Sequence, residues 1–220
     1  MKRLVATPDA FETVLIRAFG EHPPLVAFEN WTQCLSGQLH LVLEATLTSP
    51  SSYVQWLRVN LATRHLIPYV IHAAQRPRKR LEGITHVDAL VVNADNGFTL
   101  LVEAKVLSDV SCMVSFDAFR NQIARTIDVM LERAGELGRI LESRVSERSL
   151  LALLVTAPIP ACMACCFMST PRYRRPSAET FHTGQVWTGP TVARRLGWIT
   201  FEDVARAIPG ACPWLGATAT

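Results

Sequence analysis

Two apolar runs joined by a turn signal constrain this chain more than any other feature. Val87-Asp88-Ala89-Leu90-Val91-Val92 is followed by Asp95-Asn96-Gly97, and then by Phe98 to Leu107, which is apolar apart from Thr99, Glu103 and Lys105. Asn-Gly between apolar segments is a strong hairpin signal. Apolar residues in unbroken succession, rather than alternation, mark strands covered on both faces. Asp88, Glu103 and Lys105 are anomalous in such runs. A buried charge without a partner is costly, so charges placed there need one another or a metal.

The turn determines whether they meet. A two-residue turn at Asp95-Asn96, or a four-residue turn from Ala94 to Gly97, sets Asp88 opposite Glu103. A turn at Asn96-Gly97 sets it opposite Lys105. In each register all three side chains share one face, because side chains alternate with period two. A three- or five-residue loop breaks the arrangement. Two carboxylates and a lysine on one sheet face form a hard-oxygen site for Mg²⁺, to which the Ala104 carbonyl can add a ligand. Such an ion lowers the pKa of bound water and stabilises charge on a phosphate. The lysine orients the water or helps to deprotonate it, and offsets transition-state charge.

Around the hairpin the pattern is mostly helical. Thr7 can cap a helix with Pro8 at its first position and Asp9 in its first turn, running to Gly20. After a loop with Pro23 and Pro24, the spacing of Leu35, Leu39, Val42, Leu43 and Leu47 predicts a helix over 33–47. Ser49-Pro50-Ser51 ends it, and a further helix over 52–75 is bent at Pro68. An amphipathic helix over 115–132 carries Phe116, Phe119, Ile123, Ile127, Met130 and Leu131 as its buried stripe. Leu150 to Thr156 and Trp198 to Phe201 read as strands, with Thr200 capping a last helix that bears Val204 and Ile208. Helices, hairpin, helix and strand in that order give an α/β or α+β class with a mixed sheet.

Asp88, a hairpin and then Glu103-Ala104-Lys105 resemble the PD-(D/E)XK nuclease superfamily, the fold of many restriction endonucleases. Arg120-Asn121-Gln122-Ile123-Ala124-Arg125 resembles the glutamine-bearing helix that follows the (D/E)XK strand in many members. Gln122 and Arg125 lie one turn apart, off the apolar stripe. The sequence departs from the pattern at Val87, where proline is common, and at Thr126, where some exonuclease members carry tyrosine. Many members also use an acidic residue from an upstream helix, for which Glu44 is the candidate and Glu82 the alternative.

The resemblance implies one α/β domain over 1–220 with a restriction-endonuclease-like core, a central mixed β-sheet flanked by helices. Residues 1–75 form a mainly helical N-terminal part, 84–156 the catalytic core and 157–220 the C-terminal part. It further implies a Mg²⁺-dependent nuclease, with Mn²⁺ as a substitute ion, hydrolysing DNA and leaving RNA open. Asp88, Glu103 and the Ala104 carbonyl bind the metal, Lys105 assists the attacking water and Gln122 supports the site. The alternative is a catalytically inactive nuclease-fold protein that binds nucleic acid or protein. Either is compatible with a homodimer.

Composition sets the remaining limits. With 220 residues, 49% of them hydrophobic and 19% charged, the chain can build one sizeable core, and global disorder is excluded. The net charge of +3 neither requires nor excludes a nucleic-acid partner. Arg78, Lys79 and Arg80, with Arg172, Arg174 and Arg175, form two basic stretches that suit phosphates equally well as solvent, and Tyr173 can stack on a base. Six cysteines are too sparse for a disulfide scaffold, which points to reduced thiols and a cytoplasmic protein. Cys162-x-x-Cys165-Cys166 would need ligands from Cys34, Cys112, Cys212 or His182 to close a zinc site, so small apolar cysteines are the favoured reading. His86 reads as structural, and the five tryptophans as core or surface anchors. The apolar run before Asp9 and Glu12 is short for a signal peptide. The charge-free stretch from Ser149 to Pro171 is broken by Pro158 and Pro160, which suits a strand and loop rather than a membrane span.

Overall fold

The structure, a computed structural model, describes residues 1–48, 84–105, 122–132, 148–155 and 194–216. Its centre is a five-stranded mixed sheet with helices on both faces, an α/β arrangement. The strands are β1 (Leu39–Leu47), β2 (Thr85–Asn93), β3 (Thr99–Lys105), β4 (Ser149–Val155) and β5 (Leu196–Thr200), in that spatial order. β1, β2 and β3 are antiparallel neighbours, while β3, β4 and β5 run parallel. Parallel neighbours need a crossover. The chain between β3 and β4 supplies it and contains α4 (Gln122–Glu132).

The first face of the sheet carries Ala89, Val91, Leu100, Val102, Leu150, Ala152 and Leu154. It is covered by α1 (Lys2–Val5), α2 (Pro8–Phe19), α3 (Trp31–Leu35) and α5 (Phe201–Ala207), through Phe11, Leu15, Trp31 and Val204. The second face carries Leu90, Val92, Leu101, Leu151, Leu153 and Val155 under Ile123, Ile127, Val129 and Met130 of α4. β4 is buried along its whole length, as its unbroken apolar sequence requires. Ser149–Val155, the start of the charge-free stretch, is thus a core strand. No helix among the described residues is long and apolar enough to cross a membrane.

The predicted helix over 33–47 is corrected. Helix α3 stops at Leu35; Ser36 is extended and Gly37 takes φ 98°, a left-handed value that ends the turn. The chain then enters β1. Its leucines at 39, 43 and 47 fit a helical spacing, but 39, 41, 43, 45 and 47 also alternate, and pairing with β2 decides between them. Among the described residues the N-terminal part is therefore helical only to Leu35, and it contributes a strand to the central sheet. The predicted helix over 52–75 and residues 115–121 of that over 115–132 lie outside the described residues. Among the described residues the other predicted helices and strands lie close to where the sequence places them. Thr7 and Pro8 open α2, although the Thr7 side chain makes no capping bond. The Thr200 hydroxyl accepts the Asp203 N–H at 3.0 Å and so caps α5.

The β2–β3 loop spans Ala94 to Gly97, closed by the Asn93 N–H donating to the Phe98 carbonyl at 2.8 Å. Asn93, wholly buried, holds this loop against the α3–β1 junction. Its Nδ2 donates to the carbonyls of Cys34 (2.9 Å) and Ser36 (2.7 Å), and its Oδ1 accepts the Asp95 N–H at 3.0 Å. Replacing Asn93 with alanine removes its bonds to both carbonyls and to the Asp95 N–H, and leaves the carbonyls only the longer bonds from Asn96 Nδ2 at 3.2 and 3.4 Å. Asn93→Ala should lose about 2–3 kcal/mol of folding free energy in chemical denaturation. A loss within a few tenths of that of an exposed surface variant would show that the loop is held elsewhere.

Candidate functional site

The site is built by a fork in the sheet. The β2–β3 ladder ends at Ala89↔Val102. Beyond that point β2 stays paired with β1 as far as Thr85, and β3 stays paired with β4 as far as Lys105. The next step of the ladder would set Asp88 opposite Glu103, the register that a four-residue turn predicts. Instead, Asp88 Oδ2 accepts the Ala104 N–H at 2.6 Å. A side-chain oxygen thus occupies the place of the missing backbone acceptor. In an extended strand the N–H and C=O of one residue share an edge, so the Ala104 carbonyl also faces the fork.

Glu103 follows Leu101 on the second face and is 5% exposed. Its Oε1 meets Lys105 Nζ at 2.8 Å and accepts a hydrogen bond from Gln122 Nε2, delivered by the first residue of α4. Its Oε2 is buried and has no hydrogen-bond partner among the described residues. Lys105 is itself largely buried, with 13% of its side chain exposed. Asp88, Glu103, Lys105 and Gln122 therefore converge at one end of the sheet. Burial pushes the Glu103 carboxyl above its ordinary value; Lys105 opposes that shift, and the Asp88 charge reinforces it.

Glu44, expected on a helix, lies instead on β1. The pairs Leu43↔Ala89 and Ala45↔Val87 flank it, so it stands across from Asp88 in the register. It is exposed, and at φ 52° it is the one non-glycine residue with positive φ among the described residues. Its carboxylate does not join the other two: no group of three or more His, Cys, Asp or Glu able to hold a metal occurs among the described residues. Arg125 follows Gln122 on α4 and is half-buried, and His86 is exposed on β2. Glu82, Arg78, Lys79, Arg80, Arg172, Tyr173, Arg174, Arg175, Cys112, Cys162, Cys165, Cys166 and His182 lie outside the described residues. Cys34 and Cys212 are buried free thiols, the first pushed up to about 12 by burial, as expected of apolar packing residues.

What the sequence reading missed is the fork. Its one trace is that the first charge of each run stands at the same distance from the turn. Comparison with protein-family models, with curated proteins and with solved structures returned no match for this chain.

The raised Glu103 carboxyl has a signed consequence. The native state holds this proton more tightly than the unfolded chain, so stability falls as pH rises from the ordinary carboxylate value through the raised one, then levels off. Melting temperatures from pH 4 to pH 8 in chelator should show this fall in the wild type, and Glu103→Gln should flatten it. An identical slope in both proteins would mean that the Glu103 charge is not penalised.

Proposed function

We propose that this chain is a metal-dependent nuclease with a restriction-endonuclease-like core, hydrolysing DNA phosphodiester bonds at the fork. The observation that carries the reading is the convergence of Asp88, Glu103, Lys105 and Gln122, with one buried Glu103 oxygen that has no hydrogen-bond partner among the described residues. The donor set suits Mg²⁺ or Mn²⁺: Glu103 Oε2, the Asp88 carboxylate and the Ala104 carbonyl are hard oxygens. Mg²⁺ takes one or two carboxylates and keeps several waters. A cation there would also relieve the burial penalty on Glu103.

When bound, the ion lowers the pKa of a water and stabilises charge on the phosphate. The remaining work belongs to the protein. Gln122 and Lys105 fix the Glu103 carboxylate by sharing its Oε1. The Lys105 ammonium donates a hydrogen bond to the attacking water or to a phosphate oxygen as negative charge grows there. Water oxygen bonds to phosphorus and gives up a proton to solvent, the ester P–O bond breaks, and the leaving oxygen takes up a proton from solvent. Arg125 and the basic stretches at Arg78-Lys79-Arg80 and Arg172 to Arg175 are assigned to the nucleic-acid backbone.

The rival reading is an inactive nuclease-fold module that binds nucleic acid or protein. It is favoured by the lack, among the described residues, of a group of three or more His, Cys, Asp or Glu able to hold a metal. Incubation with plasmid, linear and single-stranded DNA in Mg²⁺ and in Mn²⁺ separates the two. Lys105→Ala should lower cleavage by about 10²-fold or more while Mg²⁺ affinity persists. Asp88→Ala should lose both. Cleavage that survives Lys105→Ala would assign the activity to other residues.

DNA binding should weaken with salt. In a triple alanine variant of either basic stretch, the log–log slope should shrink by about one unit for every phosphate that is no longer neutralised. Equal slopes in wild type and both variants would remove those stretches from the binding surface.

A further inference from the structure

The β1–β2 pair changes sides at one point. Leu39 and Leu41 pack on the first face together with Ala89 and Val91. Beyond Glu44, Ala45 and Leu47 are buried on the second face together with Val87. The register is the same before and after this point, so no residue has been inserted. The switch falls at the unpaired position Glu44/Asp88, where Glu44 takes φ 52°. A strand that exchanges its faces across one residue turns that residue's side chain away from the sheet normal, toward the neighbouring strand. For Asp88 the neighbour is β3, whose ladder has just opened, and there its carboxylate takes the Ala104 N–H.

We propose that Glu44 serves this site through its backbone rather than its carboxylate: the left-handed residue on β1 is a positioning residue that aims Asp88 into the fork. The inference rests on the metal-site reading above, but its first readout does not. A left-handed backbone is open to glycine and tolerated by asparagine, whereas a β-branched residue strongly disfavours it.

The test compares Glu44→Gly, Glu44→Asn and Glu44→Val, with Asp88→Asn as the reference for a broken Asp88–Ala104 bond. In ¹⁵N-labelled protein without metal, the Ala104 amide reports its bond to Asp88. Glycine and asparagine should leave that resonance at its wild-type position, and valine should move it toward the Asp88→Asn position. In Mg²⁺ titrations, glycine and asparagine should hold affinity within about twofold. Valine should weaken it by about tenfold or more, the usual effect of disturbing a group that orients a ligand.

Loss of Mg²⁺ affinity in both the glycine and asparagine variants, with the Ala104 resonance intact, would overturn the inference in favour of a ligating carboxylate. So would a valine variant that matches wild type in both readouts. Should valine prevent folding, the glycine and asparagine variants still decide between backbone and carboxylate. A wild type that shows no Asp88-dependent Mg²⁺ binding would remove the metal reading, while the amide series would still decide what aims Asp88.

Discussion

The hydrogen bond from the Ala104 N–H to the Asp88 carboxylate is the interaction on which the rest of this end of the molecule depends. Opening a ladder between central strands leaves backbone donors and acceptors that must find partners. Asp88 satisfies one of them with a charged acceptor, the strongest kind available. The same substitution brings a carboxylate into the sheet interior without burying it fully, since Asp88 remains exposed. Glu103 is the opposite case. It is buried, carries a raised pKa, and is held by Lys105 and Gln122 through one oxygen only. Two acids that stand opposite each other across the opened ladder thus sit in different environments, one exposed and one buried.

Much of this was legible in the residues, and the misses have physical causes. The hairpin followed from its turn signal and its unbroken apolar runs, and the four-residue loop is one of the registers that arithmetic allows. β4 was legible from its apolar run, and β5 in part, read as Trp198 to Phe201 where the strand is Leu196–Thr200; the Thr200 cap was also legible. β1 was not: a leucine every fourth residue satisfies both periods, and the arbiter is β2, far along the chain. The fork was not legible either. Where a ladder stops depends on backbone geometry at Glu44 and Asp88, and no propensity favours glutamate in a left-handed conformation, a choice that costs about 1–2 kcal/mol. Asn93 was also overlooked, because two of its four partners, the Cys34 and Ser36 carbonyls, come from a junction distant in sequence, and only the other two, the Asp95 and Asn96 N–H groups, are local.

The two faces divide their tasks. The first is closed by the amino-terminal helices and α5, and its residues serve packing. The second carries α4, whose first residue is Gln122 and whose next apolar residue, Ile123, is buried in the core. The helix that seals the hydrophobic face therefore also delivers the amide that holds Glu103. Disturbance of the packing of Ile123 or Ile127 would be felt at the carboxylate, one residue from the core stripe.

The parallel half of the sheet has one more consequence. Lys105, Val155 and Thr200 are register partners, so β3, β4 and β5 all finish along one edge, and that edge holds the fork. Ligand sites of open α/β sheets form where parallel strands end. The chain leaves the sheet at this edge after β3 and again after β4, and it must do so whatever residues follow. Lineages of such a protein can lengthen, shorten or recharge those two exits while the pairing of Lys105, Val155 and Thr200 stays in place. The carboxylates and the lysine are fixed by the sheet, and all three precede both exits in the chain.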